Sequence, residues 1–124
     1  MKLKCLKLTL VYAVVFNLFA CSSDATEMTP DGIDCTNVNA SYVNDIQPII
    51  NNACALSGCH VSGFRSGDFT NYEGLKTKVD DGSVKRRTID QMNMPPSNSS
   101  GPTSLTSNQI TLLNCWIEAG APEN

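Results

Sequence analysis

The chain has 124 residues, of which nine are basic and twelve are acidic, and its formal net charge is −3 at pH 7. This length allows one small domain. Three of the basic residues lie in the first ten positions, so the rest of the chain has six basic and twelve acidic residues. This excess of acidic residues argues against a nucleic-acid partner, because binding to phosphates requires a basic face.

The first twenty residues have the pattern of an export signal. Three lysines precede an almost continuous apolar run from Leu8 to Ala20, which is too short to span a bilayer and has the length of a signal-peptide core. The run ends in Leu-Phe-Ala-Cys followed by Ser-Ser-Asp, and this resembles a bacterial lipoprotein signal in which Cys21 becomes the lipid-modified first residue. The alternative is an ordinary secretory signal with a chance cysteine at its end. We predict a signal peptide over residues 1–20 and an exported protein, anchored by its lipid to a bacterial membrane on the periplasmic side or at the cell surface.

Residues 21–34 are predicted to form a flexible tether, because the segment is polar, contains a proline and a glycine, and has no periodic apolar pattern. The folded domain is predicted to span residues 35–124. Its first helix is expected over Ser41–Ala53, where apolar residues recur at helical spacing. Pro48 lies inside this segment and predicts a kink or two short pieces, because proline has no N–H and its ring clashes with the preceding turn.

The rest of the domain also has helical signals. The segment Thr70–Glu73 has the pattern of a capping box and predicts a short helix that ends near Val79. A further short helix is expected around Arg86–Met92, and residues 94–102 predict an irregular loop rich in proline and serine. The clearest helix begins at a second capping box, Thr106–Gln109, and stops at a Gly-Ala-Pro sequence. No strand-like alternation occurs, so the predicted fold is all-α, with three to four short helices and long loops.

The cysteines divide into groups with different expected fates. One of the six leaves with the signal peptide and Cys21 takes the lipid. The other four belong to an exported domain, where free thiols are uncommon: Cys35, Cys54, Cys59 and Cys115. Four cysteines allow three disulfide pairings. If Cys54 and Cys59 bind a cofactor, Cys35 and Cys115 are left as a pair, and closing that long loop adds up to about 4–5 kcal/mol of stability in the chain-entropy account.

Cys54, Cys59 and His60 form a pattern typical of covalent haem attachment. In that pattern two thiols bond the porphyrin edge through thioethers, and the histidine that follows the second thiol binds the iron. His60 is the only histidine in the chain. The usual spacing is Cys-x-x-Cys-His, whereas two additional residues lie between these cysteines, and Gly58 is expected to provide the tight turn that lets Cys59 reach the ring. The segment therefore predicts one haem c.

Two other interpretations of this segment are open. Cys54 and Cys59 can form a disulfide, which would leave His60 as a surface residue. A zinc site is the other possibility, and it would need Cys35, Cys115 or a carboxylate as its fourth ligand.

A second iron ligand is expected from far along the chain. Met94 lies 34 residues beyond His60 in a stiff Met-Pro-Pro segment. Its thioether is a soft ligand that favours reduced iron and raises the reduction potential. Met92 is the competing candidate. Only five aromatic residues follow Cys21, so a domain of this size has a marginal core, which a haem would enlarge.

These motifs, in this order, resemble the small cytochrome c domains of exported bacterial proteins. The similarity extends over residues 42–122 and lies in five stretches: Asp45–Ile50, Gly58–His60, Met94–Pro96, Leu105–Ile110 and Trp116–Pro122. It implies a cytochrome c-like fold around one haem, with Cys54 and Cys59 attached to the ring, His60 as the proximal ligand and Met94 as the distal ligand. It also implies that Trp116 packs near the haem edge.

The expected function is that of a membrane-anchored electron carrier with redox partner proteins, acting alone or as a subunit of a larger oxidoreductase, and not that of an enzyme. The chain has no second histidine for a catalytic triad and no glycine-rich phosphate loop. A haem peroxidase would need an open iron face. The alternative is a non-haem lipoprotein, stapled by Cys35–Cys115 and Cys54–Cys59 bridges, that serves as a binding or structural module.

Two charged clusters are assigned no role in this function. Asp80-Asp81 precedes a glycine and predicts a turn. Lys85-Arg86-Arg87 is interpreted as a solvated loop in preference to a docking or propionate-contacting cluster.

Overall fold

A computed structural model describes residues 32–124. The predicted signal peptide, the predicted lipidation site Cys21 and most of the predicted tether lie outside these residues. Within them the chain is helical and contains no strand, in agreement with the predicted all-α class. None of the helices in this part of the chain is long and apolar enough to cross a membrane.

The first helical segment consists of two pieces, as Pro48 predicts. A π-helical turn, Tyr42–Ile46, leads directly into helix α1, Gln47–Ala53, and proline occupies the first turn of α1. The N–H of Gln47 bonds to the carbonyl of Tyr42, five residues back. Proline is tolerated in the first turn of a helix because N–H groups there have no intrahelical partner.

Helix α2, Tyr72–Asp80, begins one residue later than the predicted capping box implies. Its cap is Asn71, whose side chain accepts a 2.9 Å bond from the N–H of Gly74. The Thr70 hydroxyl instead donates to Asp68, so the prediction of a Thr70 cap is wrong. A Cβ at Gly74 would lie 1.8 Å from the Asp68 carbonyl oxygen, so only glycine allows this turn to pack against the preceding loop.

The third helical region begins earlier than expected. Helix α3, Ser83–Lys85, continues into a second π-helical turn, Arg86–Asp90. The predicted boundaries of 86–92 are therefore wrong by three residues at the start and two at the end. The predicted turn at Asp80-Asp81 is confirmed, since Asp81 accepts a bond from the N–H of Ser83 and Gly82 adopts a φ of +74°.

Helix α4, Ser107–Glu118, has the predicted bounds and caps. The Thr106 hydroxyl and the Gln109 side chain form the reciprocal bonds of a capping box. At the other end Gly120 has a φ of +90°, its N–H bonds to Ile117, and the N–H of Ala121 bonds to Trp116. These are the two bonds of a Schellman motif, which satisfies the last carbonyl groups of a helix.

The core is centred on α4 and the first helical segment. Trp116 and Leu113 are fully buried, and the Trp116 ring stacks on Tyr42 with centroids 5.9 Å apart. Tyr72 packs edge-on against Tyr42 at 5.0 Å. A disulfide joins Cys35 to Cys115, so the start of the described chain is attached to α4. We call this region the stapled core and define it by the following residues: Cys35, Tyr42, Tyr72, Leu113, Cys115 and Trp116.

Candidate functional site

The domain contains a partly open cavity of about 860 Å³ that none of the stapled-core residues lines. This volume is within the range of roughly 300–1,000 Å³ that small-molecule and cofactor sites occupy. Its walls come from the end of α1, the loop that follows α1, the second π-helical turn and the Met-Pro-Pro loop. The structure brings all four predicted haem-site residues to this one cavity: Cys54, Cys59, His60 and Met94.

The segment that contains the two cysteines folds back on itself after α1. The N–H of Cys59 bonds to the carbonyl of Leu56 at 2.8 Å, and the N–H of His60 bonds to the carbonyl of Cys54 at 3.1 Å. Gly58 has a φ of +78°, the left-handed conformation that the sequence predicts for a tight turn here. The two additional residues are therefore accommodated in a turn that leaves both cysteines and the histidine on the cavity wall.

Both cysteines of this segment are free thiols. The Cys54–Cys59 disulfide of the alternative interpretation is not formed. Burial, together with the neighbouring Cys59, raises the pKa of the Cys54 thiol to about 11. Cys54 is therefore a neutral thiol near pH 7, and its low thiolate fraction makes spontaneous oxidation slow.

The His60 ring is held between two aromatic side chains. It stacks face to face on Phe69 with centroids 4.1 Å apart and an angle of 2° between the planes, and Phe64 packs edge-on at 5.2 Å. The N–H of Phe69 also donates to the His60 carbonyl at 2.9 Å. Neither Phe64 nor Phe69 was predicted to belong to the site, although both lie within nine residues of His60.

The His60 imidazole has the protonation state that a metal ligand needs. Burial lowers its pKa below the ordinary value of 6.5, while the neighbouring backbone of Gly67 and Ser66 opposes the shift. The Nδ1 atom is buried and meets no hydrogen-bond partner of acceptable geometry in the described structure. A neutral imidazole retains a lone pair for coordination.

The two candidate methionines differ in their surroundings. Met94 is half-buried and lines the cavity, and it is followed by the buried Pro95. The carbonyl of Arg87 accepts bonds from the N–H groups of Asn93 and Met94, at 3.0 and 3.2 Å, and so attaches this loop to the second π-helical turn. Met92 is 58% exposed and does not line the cavity.

The remaining predicted residues lie away from this wall. Cys35 and Cys115 are bonded to each other, so neither is available as a zinc ligand. No group of three histidine, cysteine or acidic side chains within residues 32–124 is arranged to bind a metal ion. Trp116 packs in the stapled core and is not part of the cavity lining, whereas the resemblance implies a position near the haem edge.

The cavity wall includes four basic residues that the sequence analysis did not place there: Arg65, Lys78, Arg86 and Arg87. Residues 85–87 were predicted to form a solvated loop; Arg86 and Arg87 are exposed to solvent, but the three residues do not form a loop. They lie in helical backbone, because α3 starts at Ser83 and continues into the π-helical turn. That arrangement directs Arg86 and Arg87 to the cavity.

No family model matches the chain, and no curated protein or solved structure does so either.

The donor set of the cavity fits a haem on chemical grounds. It combines two free thiols, a neutral imidazole and a thioether around a space of cofactor size. The unpartnered Nδ1 atom belongs to the one residue that would bind iron, and metal-binding histidines commonly donate their second ring N–H to an outer-shell carbonyl or carboxylate.

Proposed function

We propose that this protein is a membrane-anchored c-type cytochrome that transfers single electrons through one haem with His60 and Met94 as axial ligands. The observation that supports this most strongly is that Cys54, Cys59, His60 and Met94 line the same cavity, although 34 residues separate the histidine from the methionine.

Each of these residues has a specific role in this proposal. Cys54 and Cys59 supply the thiols for thioether bonds to the ring edge. His60 supplies the proximal ligand, and its stacking on Phe69 limits rotation of the imidazole. Met94 supplies a soft distal ligand from a loop that the Arg87 carbonyl attaches to the domain. A bound haem supplies one-electron ferric/ferrous chemistry.

This ligand set favours an electron carrier over an enzyme. If His60 and Met94 occupy both axial positions, the iron has no open position for a substrate or a peroxide. The protein then contributes ligand identity, burial and a surface for redox partners. Attachment to a bacterial membrane through lipid on Cys21 belongs to the same proposal and rests on the sequence pattern at residues 8–24.

The test is to express the full chain together with a cytochrome c maturation system and to record absorption spectra of the oxidised and reduced protein. We expect haem that survives denaturing electrophoresis and acid–organic extraction, a low-spin reduced spectrum and a sulfur-to-iron charge-transfer band in the oxidised state. Haem that is lost on extraction would show that it is not covalently bound. A high-spin, peroxide-reactive iron would contradict the electron-carrier assignment.

The matched control is the Cys54→Ser, Cys59→Ser variant. It retains the cavity and both axial ligands and is expected to lose covalent haem only. If wild-type protein contains no haem at all, the proposal is wrong. A count of two disulfides and no free thiols in that haem-free protein would support the alternative stapled binding module.

A further inference from the structure

The loop that carries Met94 is held at its first residue by a hydrogen bond to another part of the domain. We call residues 94–102 the distal loop. The N–H of Met94 donates to the Arg87 carbonyl at 3.2 Å. Near the other end of the loop the N–H of Gly101 donates to the Ser99 hydroxyl at 3.1 Å, which is a contact within the loop itself. The attachment of this far end to the domain therefore has to come from packing.

Gly101 lies against Leu56, which is one of the four residues between Cys54 and Cys59. A Cβ atom at position 101 would lie 2.8 Å from the Cδ1 methyl carbon of Leu56 and 3.1 Å from the carbonyl oxygen of Asn52 in α1. Carbon atoms in favourable contact are about 3.5–4.0 Å apart. The absence of a side chain at Gly101 is thus what lets the distal loop approach the cysteine segment this closely.

The four-residue spacing between the cysteines is what makes Leu56 available for this contact. The carbonyl of Leu56 accepts the 2.8 Å bond from the N–H of Cys59, so Leu56 is the first residue of the turn that contains Gly58. A turn closed by such a bond spans four residues. With the usual two-residue spacing its first residue would be the first cysteine of the pair, whereas here it is a half-buried leucine.

We propose that Leu56 and Gly101 form a clasp that holds the distal loop against the cysteine segment and so keeps Met94 in place as a ligand. This inference rests on the proposed function, because it treats Met94 as the distal iron ligand. A loop that is attached at both ends has less conformational freedom, so a side chain that it carries leaves its position less often. Leu56 and Gly101 act through Met94 and are positioning residues. Their effect is to keep the iron closed to small ligands, as an electron carrier requires.

The test on haem-loaded protein is the rate at which saturating imidazole binds to the ferric iron of the detergent-solubilised full chain. Imidazole can bind only after Met94 leaves, so this rate reports how often the ligand is released. Leu56→Ala and Gly101→Ala are each expected to raise the rate at least about fourfold, the factor that corresponds to the loss of about one buried CH₂ group. The double variant should be no faster than the faster single variant, because both changes remove the same contact.

Two control variants separate the clasp from a general loss of stability. Leu56→Met keeps a side chain of similar volume and is expected to retain the wild-type rate. Val43→Ala shortens an apolar side chain that is 54% exposed and does not line the cavity, and it should retain that rate as well. A wild-type rate in Leu56→Ala, additive effects in the double variant, or equal acceleration in Val43→Ala overturns the inference.

A second measurement does not depend on haem. Amide hydrogen exchange in the haem-free full chain is followed by NMR at Met94 and Gly101, with Ile110 in the first turn of α4 as the reference. Leu56→Ala is expected to accelerate exchange at both loop positions at least about fourfold and to leave Ile110 unchanged. Unchanged exchange at Met94 and Gly101 contradicts the clasp.

The two measurements distinguish failure of the clasp from failure of the proposed function. A wild-type protein that contains no haem ends the proposed cytochrome function, but accelerated exchange in its Leu56→Ala variant retains the clasp as the contact that holds Met94 at the cavity. A haem-loaded protein whose Leu56→Ala variant shows neither faster exchange nor faster imidazole binding ends the clasp alone.

Discussion

The stapled core and the cavity wall are stabilised in different ways. In the core the Tyr42 ring contacts both Tyr72 and the fully buried Trp116, and a disulfide joins Cys35 to Cys115, so these residues have their partners within the chain. The cavity wall instead presents free thiols, a buried imidazole nitrogen without a partner and an exposed phenylalanine, Phe64, around about 860 Å³ of space.

We expect this difference to distinguish residues that mainly fold the domain from residues that would bind the proposed haem. Changes in the stapled core are expected to lower stability whether or not a ligand is bound. Changes at the cavity wall are expected to alter the bound haem and to leave the haem-free fold nearly intact. Four experiments test this separation.

The largest expected effect is at His60. His60→Ala is predicted to abolish stable haem incorporation, because it removes the proximal ligand, while the haem-free protein retains its helical circular dichroism. Haem content per chain, measured by absorption, provides the comparison with Ser57→Ala, another residue of the cavity wall that is expected to retain haem. If the His60 variant unfolds without haem, the histidine belongs to the folding region and the separation fails.

Removal of the disulfide is expected to have the largest effect on stability. The bond joins residues 80 positions apart, so Cys35→Ala with Cys115→Ala should lower the free energy of unfolding by up to about 4.5 kcal/mol in the chain-entropy account. Urea denaturation of the haem-free protein and of the haem-loaded protein should show similar losses. A loss below about 1 kcal/mol would show that the aromatic contacts alone stabilise this half.

The two methionines are expected to differ in their effect on reduction potential. Met94→Ala should retain haem but lower the potential by at least about 0.1 V, within the roughly 0.8 V range that axial ligands determine. Met92→Ala is the matched control, because its side chain is mostly exposed and away from the cavity. Spectroelectrochemical titration measures both variants, and an unchanged potential in the Met94 variant would remove Met94 from the ligand set.

The smallest expected effect is a pH dependence of the haem-free protein. Burial holds the pKa of His60 below 6.5 in the folded state, so the unfolded chain binds more protons between the folded pKa and 6.5. The free energy of unfolding should therefore decrease as pH falls through this interval and be retained above it. The effect is small because the ring is only partly buried.

The control for this pH dependence is His60→Gln, which keeps a polar side chain at the position but cannot titrate. Its urea midpoint should vary less than that of wild-type protein over the same pH interval. Identical pH profiles for the two haem-free proteins would show that another group is responsible.

The local structure was predictable from the sequence where a few neighbouring residues determine the backbone conformation. The caps of α4, the break at Pro48 and the left-handed turn at Gly58 depend on hydrogen bonds and steric contacts within one or two turns, and all three agree with the structure. The start of α2 was misplaced by one residue. Thr70 and Asn71 are both good caps, and the Asp68 carboxylate, which engages Thr70, decides between them.

The position of Arg86 and Arg87 at the cavity was not predictable in the same way. The cluster at residues 85–87 is basic in any conformation. Whether its side chains are surrounded only by solvent or also line a cavity depends on the residue at which α3 begins. That start is set by Gly82 and by the bond from Ser83 to Asp81. The position of Trp116 likewise depends on Tyr42, 74 residues away in the chain.

The sequence by itself determined the helical class, the caps of α4, the break at Pro48 and the kinds of ligand atom available, because these follow from residue type and short-range spacing. Only the tertiary structure decided that Met94 and not Met92 lines the cavity of His60 and that Arg86 and Arg87 line it too. It also decided that Cys35 bonds to Cys115 while Cys54 and Cys59 stay free. These features join segments far apart in the chain, so they depend on how the helices pack around the stapled core and not on local preference.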